Sequence, residues 1–203
     1  MKDLLRARLA ESIATLQAVL ADDALADALL QAAYLTSDAM KMGNKLLVAG
    51  NGGSAADAQH VAAEFVCRLT VDRPAMPAIA LTTDTSILTA MANDHSYDSV
   101  FERQIEALGR PGDVFLALST SGNSKNVIRG LEASRRKGLV TVGLSGNGGG
   151  AMACLCDVNI IVPSRVTVHI QEAQLALEHT FCTLVERLYF GAALNTPAQQ
   201  TGE

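Results

Sequence analysis

The chain has 203 residues, 49% of them apolar and 18% charged, with a net charge of −5. That length suits one domain with a sizeable core of its own, and the negative balance gives nucleic acid no electrostatic reason to bind. No run of about 18 apolar residues crosses the chain, and no basic-then-apolar leader precedes the first helix, so neither a membrane nor a secreted fate is expected.

In chain order, residues 3–20 and 23–42 are rich in Ala and Leu with charges at helical spacing. They read as a helical pair parted by Ala21-Asp22-Asp23, where an Asp caps the second helix. The character then changes. Short runs rich in Val, Ile and Leu stand at 45–49, 76–81, 114–119, 139–145 and 158–162, the pattern of strands buried on both faces. Helical stretches at 54–68, 84–92, 97–108, 124–137 and 168–190 alternate with them. Strands alternating with helices predict an α/β fold with a parallel sheet and helices on both faces. Residues 1–203 read as a single domain, with a frayed tail after about 190. The four cysteines, Cys67, Cys154, Cys156 and Cys182, lack disulfide or zinc-ribbon spacing. They read as packing thiols of a reducing, cytoplasmic compartment, Cys154-Leu155-Cys156 included.

Open α/β sheets bind ligands beyond the carboxyl ends of their strands. Gly50-Asn51-Gly52-Gly53-Ser54 follows the first strand. Ser119-Thr120-Ser121-Gly122-Asn123-Ser124 follows the third, with four hydroxyls in six residues. Both open helices. Glycines admit an anion to backbone N–H groups, and helix N-termini add unpaired donors. Such residues also make ordinary turns, but two such junctions together favour a ligand, and the second fits a phosphate. A third loop, Ser145–Gly150, is a weaker signal, its three successive glycines serving only flexibility. The P-loop tripeptide is absent, and the first loop lacks the third glycine of the dinucleotide fingerprint.

His60 and Glu64 stand four residues apart on one helical face. Gln171 and His179 lie on the last long helix, about 80° apart beyond whole turns. Two imidazoles, a carboxylate and an amide oxygen suit zinc or a similar divalent ion, although His60–Glu64 alone is an ordinary helix pair. Asn93-Asp94 suits a sugar hydroxyl or a cap. Asp57, Glu172 and Glu178 have solvated-face or pairing readings, and His95 and His169 read as ordinary surface or core histidines.

Gly50–Ser54, His60, Glu64, Asn93-Asp94, Ser119–Ser124, Ile170-Gln171-Glu172 and His179, in this order, resemble the sugar isomerase (SIS) domain family, and within it the branch that isomerises heptose phosphates. The resemblance spans the chain to about residue 190. It implies a five-stranded, flavodoxin-like three-layer sandwich, a homotetramer with sites at subunit interfaces, and one zinc ion per subunit. The implied reaction interconverts D-sedoheptulose 7-phosphate and D-glycero-D-manno-heptose 7-phosphate, for bacterial lipopolysaccharide and other surface sugars. On the matching positions, His60, Glu64, Gln171 and His179 would hold the metal, and Glu64 and His179 would move protons. Ser119, Thr120, Ser121 and Ser124 would take the phosphate, while Asn51, Gly52, Gly53, Ser54, Glu64, Asn93, Asp94 and Gln171 would contact the sugar. One departure is visible: the family usually has Arg where this chain has His169. The competing readings are a non-catalytic scaffold of the same family, which associates with a replication initiator and lacks the His/Glu pair, and another phosphosugar enzyme.

Overall fold

Asp22 separates the first two helices as its side chain accepts the Leu25 N–H. This caps α2 (Asp23–Lys41) just after α1 (Lys2–Leu20) ends. The computed structural model describes residues 1–191; the expected fraying of the tail falls, beyond Gly191, outside the described residues. The near-continuous apolar runs become β1 (Leu46–Ala49), β2 (Ala78–Ala80), β3 (Val114–Ser119), β4 (Val140–Ser145) and β5 (Val158–Ile161). All pairings are parallel, in the order β2-β1-β3-β4-β5. Every residue of β1 and β3 is buried, as strands covered on both faces require. β2 starts later than its apolar run because Pro77 has no N–H to give a ladder, although its carbonyl still accepts from Leu46.

Alternation along the strands divides the core in two. Leu46, Val48, Leu116 and Leu144 point to one face, where they meet α2, α3 (Gly53–Val66) and α7 (Thr167–Phe190). Leu47, Ala49, Phe115 and Ala117 point to the other, where α5 (Val100–Leu108) and α6 (Lys125–Arg136) cover them. Phe115 is fully buried there, which stabilises the fold by about 1.5–3 kcal/mol relative to exposure. α4 (Thr85–Asp94) follows β2, its first turn capped by Asp84. The helix expected over 97–108 is split, because Ser96 caps a separate 3-10 turn, Tyr97–Ser99, before α5 begins. Between Asn147 and Leu155 two short 3-10 turns are parted by a kink at Gly148–Gly150, all at positive φ, which no helical pattern in the sequence marks.

α1 buries none of its residues. It is clasped to α7 by polar groups. The His169 ring places Nε2 3.2 Å from Glu11 Oε2 and Nδ1 3.2 Å from both Ser12 Oγ and Glu172 Oε2. Ser12 Oγ also donates to Glu172 at 2.6 Å. The Glu172 and Glu11 carboxylates hold the His169 imidazole above its ordinary range. His169 is thus the buried centre of a helix clasp, and Glu172 is paired rather than merely solvated.

Candidate active site

The strand order reverses between β1 and β3, and the first two loops leave the sheet side by side there, where open parallel sheets bind ligands. A reciprocal amide pair joins them. Asn51 Nδ2 donates to Asn126 Oδ1 and Asn126 Nδ2 to Asn51 Oδ1, each at 2.8 Å. Tyr97 adds its hydroxyl to Asn51 at 3.2 Å. Asn126 is buried and went unnoticed in the sequence, since one Asn in a helical stretch carries no pattern.

In the second loop the buried Ser119 shares a hydrogen bond with Ser124, Oγ to Oγ at 3.1 Å. Ser124 stands at the N-cap of α6 without capping it, so the opening turn keeps N–H groups for an anion. Thr120 and Ser121 are half-buried beside it. The third loop is not merely flexible. Its Gly146 N–H donates to Thr120 O at 3.2 Å, and Met152 N–H to Gly122 O at 3.0 Å. Gly122 has φ +66°, and a Cβ there would stand 2.0 Å from Gly149 O. The third loop is therefore a wall that fixes the hydroxyl loop.

α3 launches from Gly52, whose φ of +59° favours glycine. At Gly53 a Cβ would fall 1.8 Å from Gln171 Nε2, so α7 can approach only because no side chain stands there. Further along these helices, His60 Nε2 lies 2.8 Å from His179 Nε2 and 3.3 Å from Glu64 Oε1. Ligand atoms of His60, Glu64 and His179 all fall within 4.8 Å of one another. Glu64 Oε2 is buried with no partner among the described residues. Gln171 sits roughly 12 Å before His179 along α7, nearer the glycine loop, and lines a cavity of about 270 Å³ with Asp57 and Glu172. The structure thus brings three of the four expected ligands together directly, with the fourth towards the sugar loop. Asn93 and Asp94, at the end of α4, are exposed and bond each other at 2.7 Å.

Glu178 departs from a solvated-face reading. It is almost wholly buried, and neither of its side-chain oxygens has a partner among the described residues. Burial, with the charge of Asp57 adding to it, pushes its carboxyl up to about 8. Asp57 is itself raised by burial, partly offset by Gln171 and His60. The cysteines are unpaired. Cys156 lies under β4, where a Cβ on Gly143 would meet its Sγ at 2.7 Å, in keeping with packing. Cys154 is exposed, with its thiol on Ala151 O.

A sequence profile described as the SIS domain matches residues 9–146. A protein of Aneurinibacillus thermoaerophilus named phosphoheptose isomerase is 50% identical over 190 residues, covering 94% of this chain and 96% of that one. Phosphoheptose isomerase 2 of Campylobacter jejuni is 49% identical over 191 residues, covering 94% and 95%. Among solved structures, a phosphoheptose isomerase from Neisseria gonorrhoeae superposes with a TM-score of 0.86 at 41% identity, covering 91% of this chain and 98% of that one.

Proposed function

Since the chain belongs to the SIS domain family, we propose that it is an aldose–ketose isomerase of that family, interconverting D-sedoheptulose 7-phosphate and D-glycero-D-manno-heptose 7-phosphate in heptose biosynthesis. Its relatives of about 50% identity, matched over almost their whole length, bear the name of that activity. The observation that carries the chemistry is the convergence of His60, Glu64 and His179; a hydroxyl-rich N-terminus stands separately at α6.

The reaction removes a proton from C1 of the ketose, forms an enediol across C1 and C2, and returns a proton to C2 to give the aldose. Glu64 is the residue we assign to carry the carbon-bound proton, since its buried Oε2 has no hydrogen-bond partner among the described residues. His179 would pass the companion proton between the two sugar oxygens in the state in which its Nε2 holds no metal. Ser119, Thr120, Ser121 and Ser124, with the first turn of α6, grip the phosphate and so fix the distant carbons. Asn51, Gly52, Gly53 and Ser54, held against α6 by Asn126, give the sugar hydroxyls a rigid rim, which Asn93, Asp94 and Gln171 would complete. The scaffold reading has no use for this convergent His/Glu set.

The donor set fits zinc. Two imidazole nitrogens and a carboxylate oxygen, all within 4.8 Å of one another, are donors of the kind zinc takes. His60, Glu64 and His179 would hold the ion; Gln171, expected as a fourth donor, stands by the glycine loop, too far along α7 to reach the same ion within this chain. When bound, the ion would supply Lewis-acid polarisation of the sugar oxygens. The test is turnover of sedoheptulose 7-phosphate by metal-stripped protein, then with zinc restored. Activity that returns with zinc is the expected result. Activity indifferent to metal discards zinc's role, and no turnover by intact protein in either state discards the isomerase.

We also read the active unit as a homotetramer in a reducing, cytoplasmic compartment, acting without a nucleic-acid or membrane partner. Leu4, Leu5, Leu9 and Ile13 of α1 are each more than half exposed, an apolar face that a second copy would cover. The unpaired thiols suit the compartment, and no described helix is long and apolar enough to cross a membrane. Light scattering should give four times the chain mass of 21.3 kDa; the mass of one chain would overturn the assembly.

A further inference from the structure

α3 ends without the usual device. No glycine follows it and no basic residue stands in its last turn, so its final carbonyls need donors from elsewhere. Arg73, nine residues beyond Glu64, supplies them. Its Nη2 donates to Glu64 O and its Nη1 to Phe65 O, each at 2.6 Å. Nη1 also reaches Pro74 O at 3.1 Å and Cys67 O at 3.4 Å. The same guanidinium donates Nε and Nη2 to Glu186 Oε1, at 2.8 and 2.6 Å. Both side chains are almost completely buried, at 2% and 3% exposure.

Glu186 lies seven residues after His179 on α7, close to two full turns, and so on the same face. One guanidinium therefore grips the backbone of Glu64 with one edge and the helix of His179 with the other. Phe65 and Phe181 pack edge to face beside it, with ring centroids 6.0 Å apart. A buried ion pair is a poor source of stability, because an apolar pair of equal volume serves as well or better. What an apolar pair cannot do is fix the carbonyl of Glu64 in one place.

We propose that Arg73 and Glu186 are positioning residues, a tie bar that sets Glu64 of α3 against His179 of α7. They touch no reacting atom. The inference rests on the roles read above for Glu64 and His179.

The test compares wild type with Arg73→Lys, Glu186→Gln and the apolar double variant Arg73→Met/Glu186→Leu. Circular dichroism and thermal melting report the fold. The double variant replaces the ion pair at little cost but strands the carbonyls that Arg73 satisfies, so it should stay folded and melt somewhat below wild type, while its kcat should fall by on the order of 10²-fold, the cost of a small misplacement at a reacting centre. KM should hold, since the hydroxyl loop lies on β3 and α6, away from the pair. In metal-free protein, the ring-nitrogen resonances of His60 and His179 should shift in every folded variant. That signature reads the tie without turnover. A wild-type protein with no activity condemns the isomerase reading, while the resonances still decide the tie. Folded variants with wild-type kcat and unshifted resonances overturn the inference. So does unfolding of all three, which would make the pair an element of stability alone.

Discussion

Replacing Glu64 by Gln, or His179 by Gln, should lower kcat by roughly 10²–10⁴-fold, the span that a positioned acid or base contributes, while the fold persists. The fold should persist because Glu64 Oε2 holds nothing among the described residues, and Gln keeps the length and shape that meet His60. What Gln lacks is the capacity to take a proton. Exchange of the C1 or C2 hydrogen with deuterated solvent separates this from a binding defect. Glu64→Gln should abolish the exchange, whereas the phosphate end of the substrate, for which Ser119–Ser124 are the proposed grip, should still bind. Near-native turnover in either variant would sink the assignment.

Gly122→Ala should be the most damaging single change to the loop architecture. The backbone at φ +66° disfavours any L side chain, at about 1–3 kcal/mol. The new methyl would also lie 2.0 Å from Gly149 O and 2.4 Å from Gly149 C, backbone atoms that cannot swing aside. Either the hydroxyl loop or the glycine wall must shift, so a rise in KM should accompany the lost stability. Gly148→Ala is the control. It has the same sign of φ, at +75°, with nothing within 4 Å of the added carbon. Denaturant unfolding should show Gly122→Ala losing clearly more than Gly148→Ala. Equal losses would mean that the two loops do not bear on each other.

The architecture was legible because it rests on local pattern. Five apolar runs and the helices between them set the sheet, and Asp22 and Asp84 mark helix starts that the structure keeps. The meeting of His60, Glu64 and His179 could be framed from helical spacing and family resemblance, and the described geometry brings those three side chains together. Gln171 was harder to place, because i, i+8 spacing gives direction without saying how far a residue reaches. The tertiary partners were not legible at all. Arg73 stands in a loop beside a proline, with nothing nearby to name the carbonyls it satisfies. Glu178 has the charge of a surface residue, and only the packing of α7 against α3 shows that it is buried. The glycines at 148–150 looked like slack, since sequence shows where a chain can bend but not what it must avoid.

His60 and His179 are 119 residues apart in the chain and touch at their ring nitrogens, and this bears on the order in which the protein comes into being. During synthesis the first helices, β1 and α3 emerge with His60 and Glu64 long before α7 exists. Contacts between such distant positions carry a large loop-closure cost. A nascent chain therefore offers a metal only an i, i+4 pair, too few donors to hold it firmly. Any metal at this site would have to wait until the last helix docks, and a chain cut short before residue 179 would lack both the third ligand and the core that Phe181, Cys182 and Val185 supply.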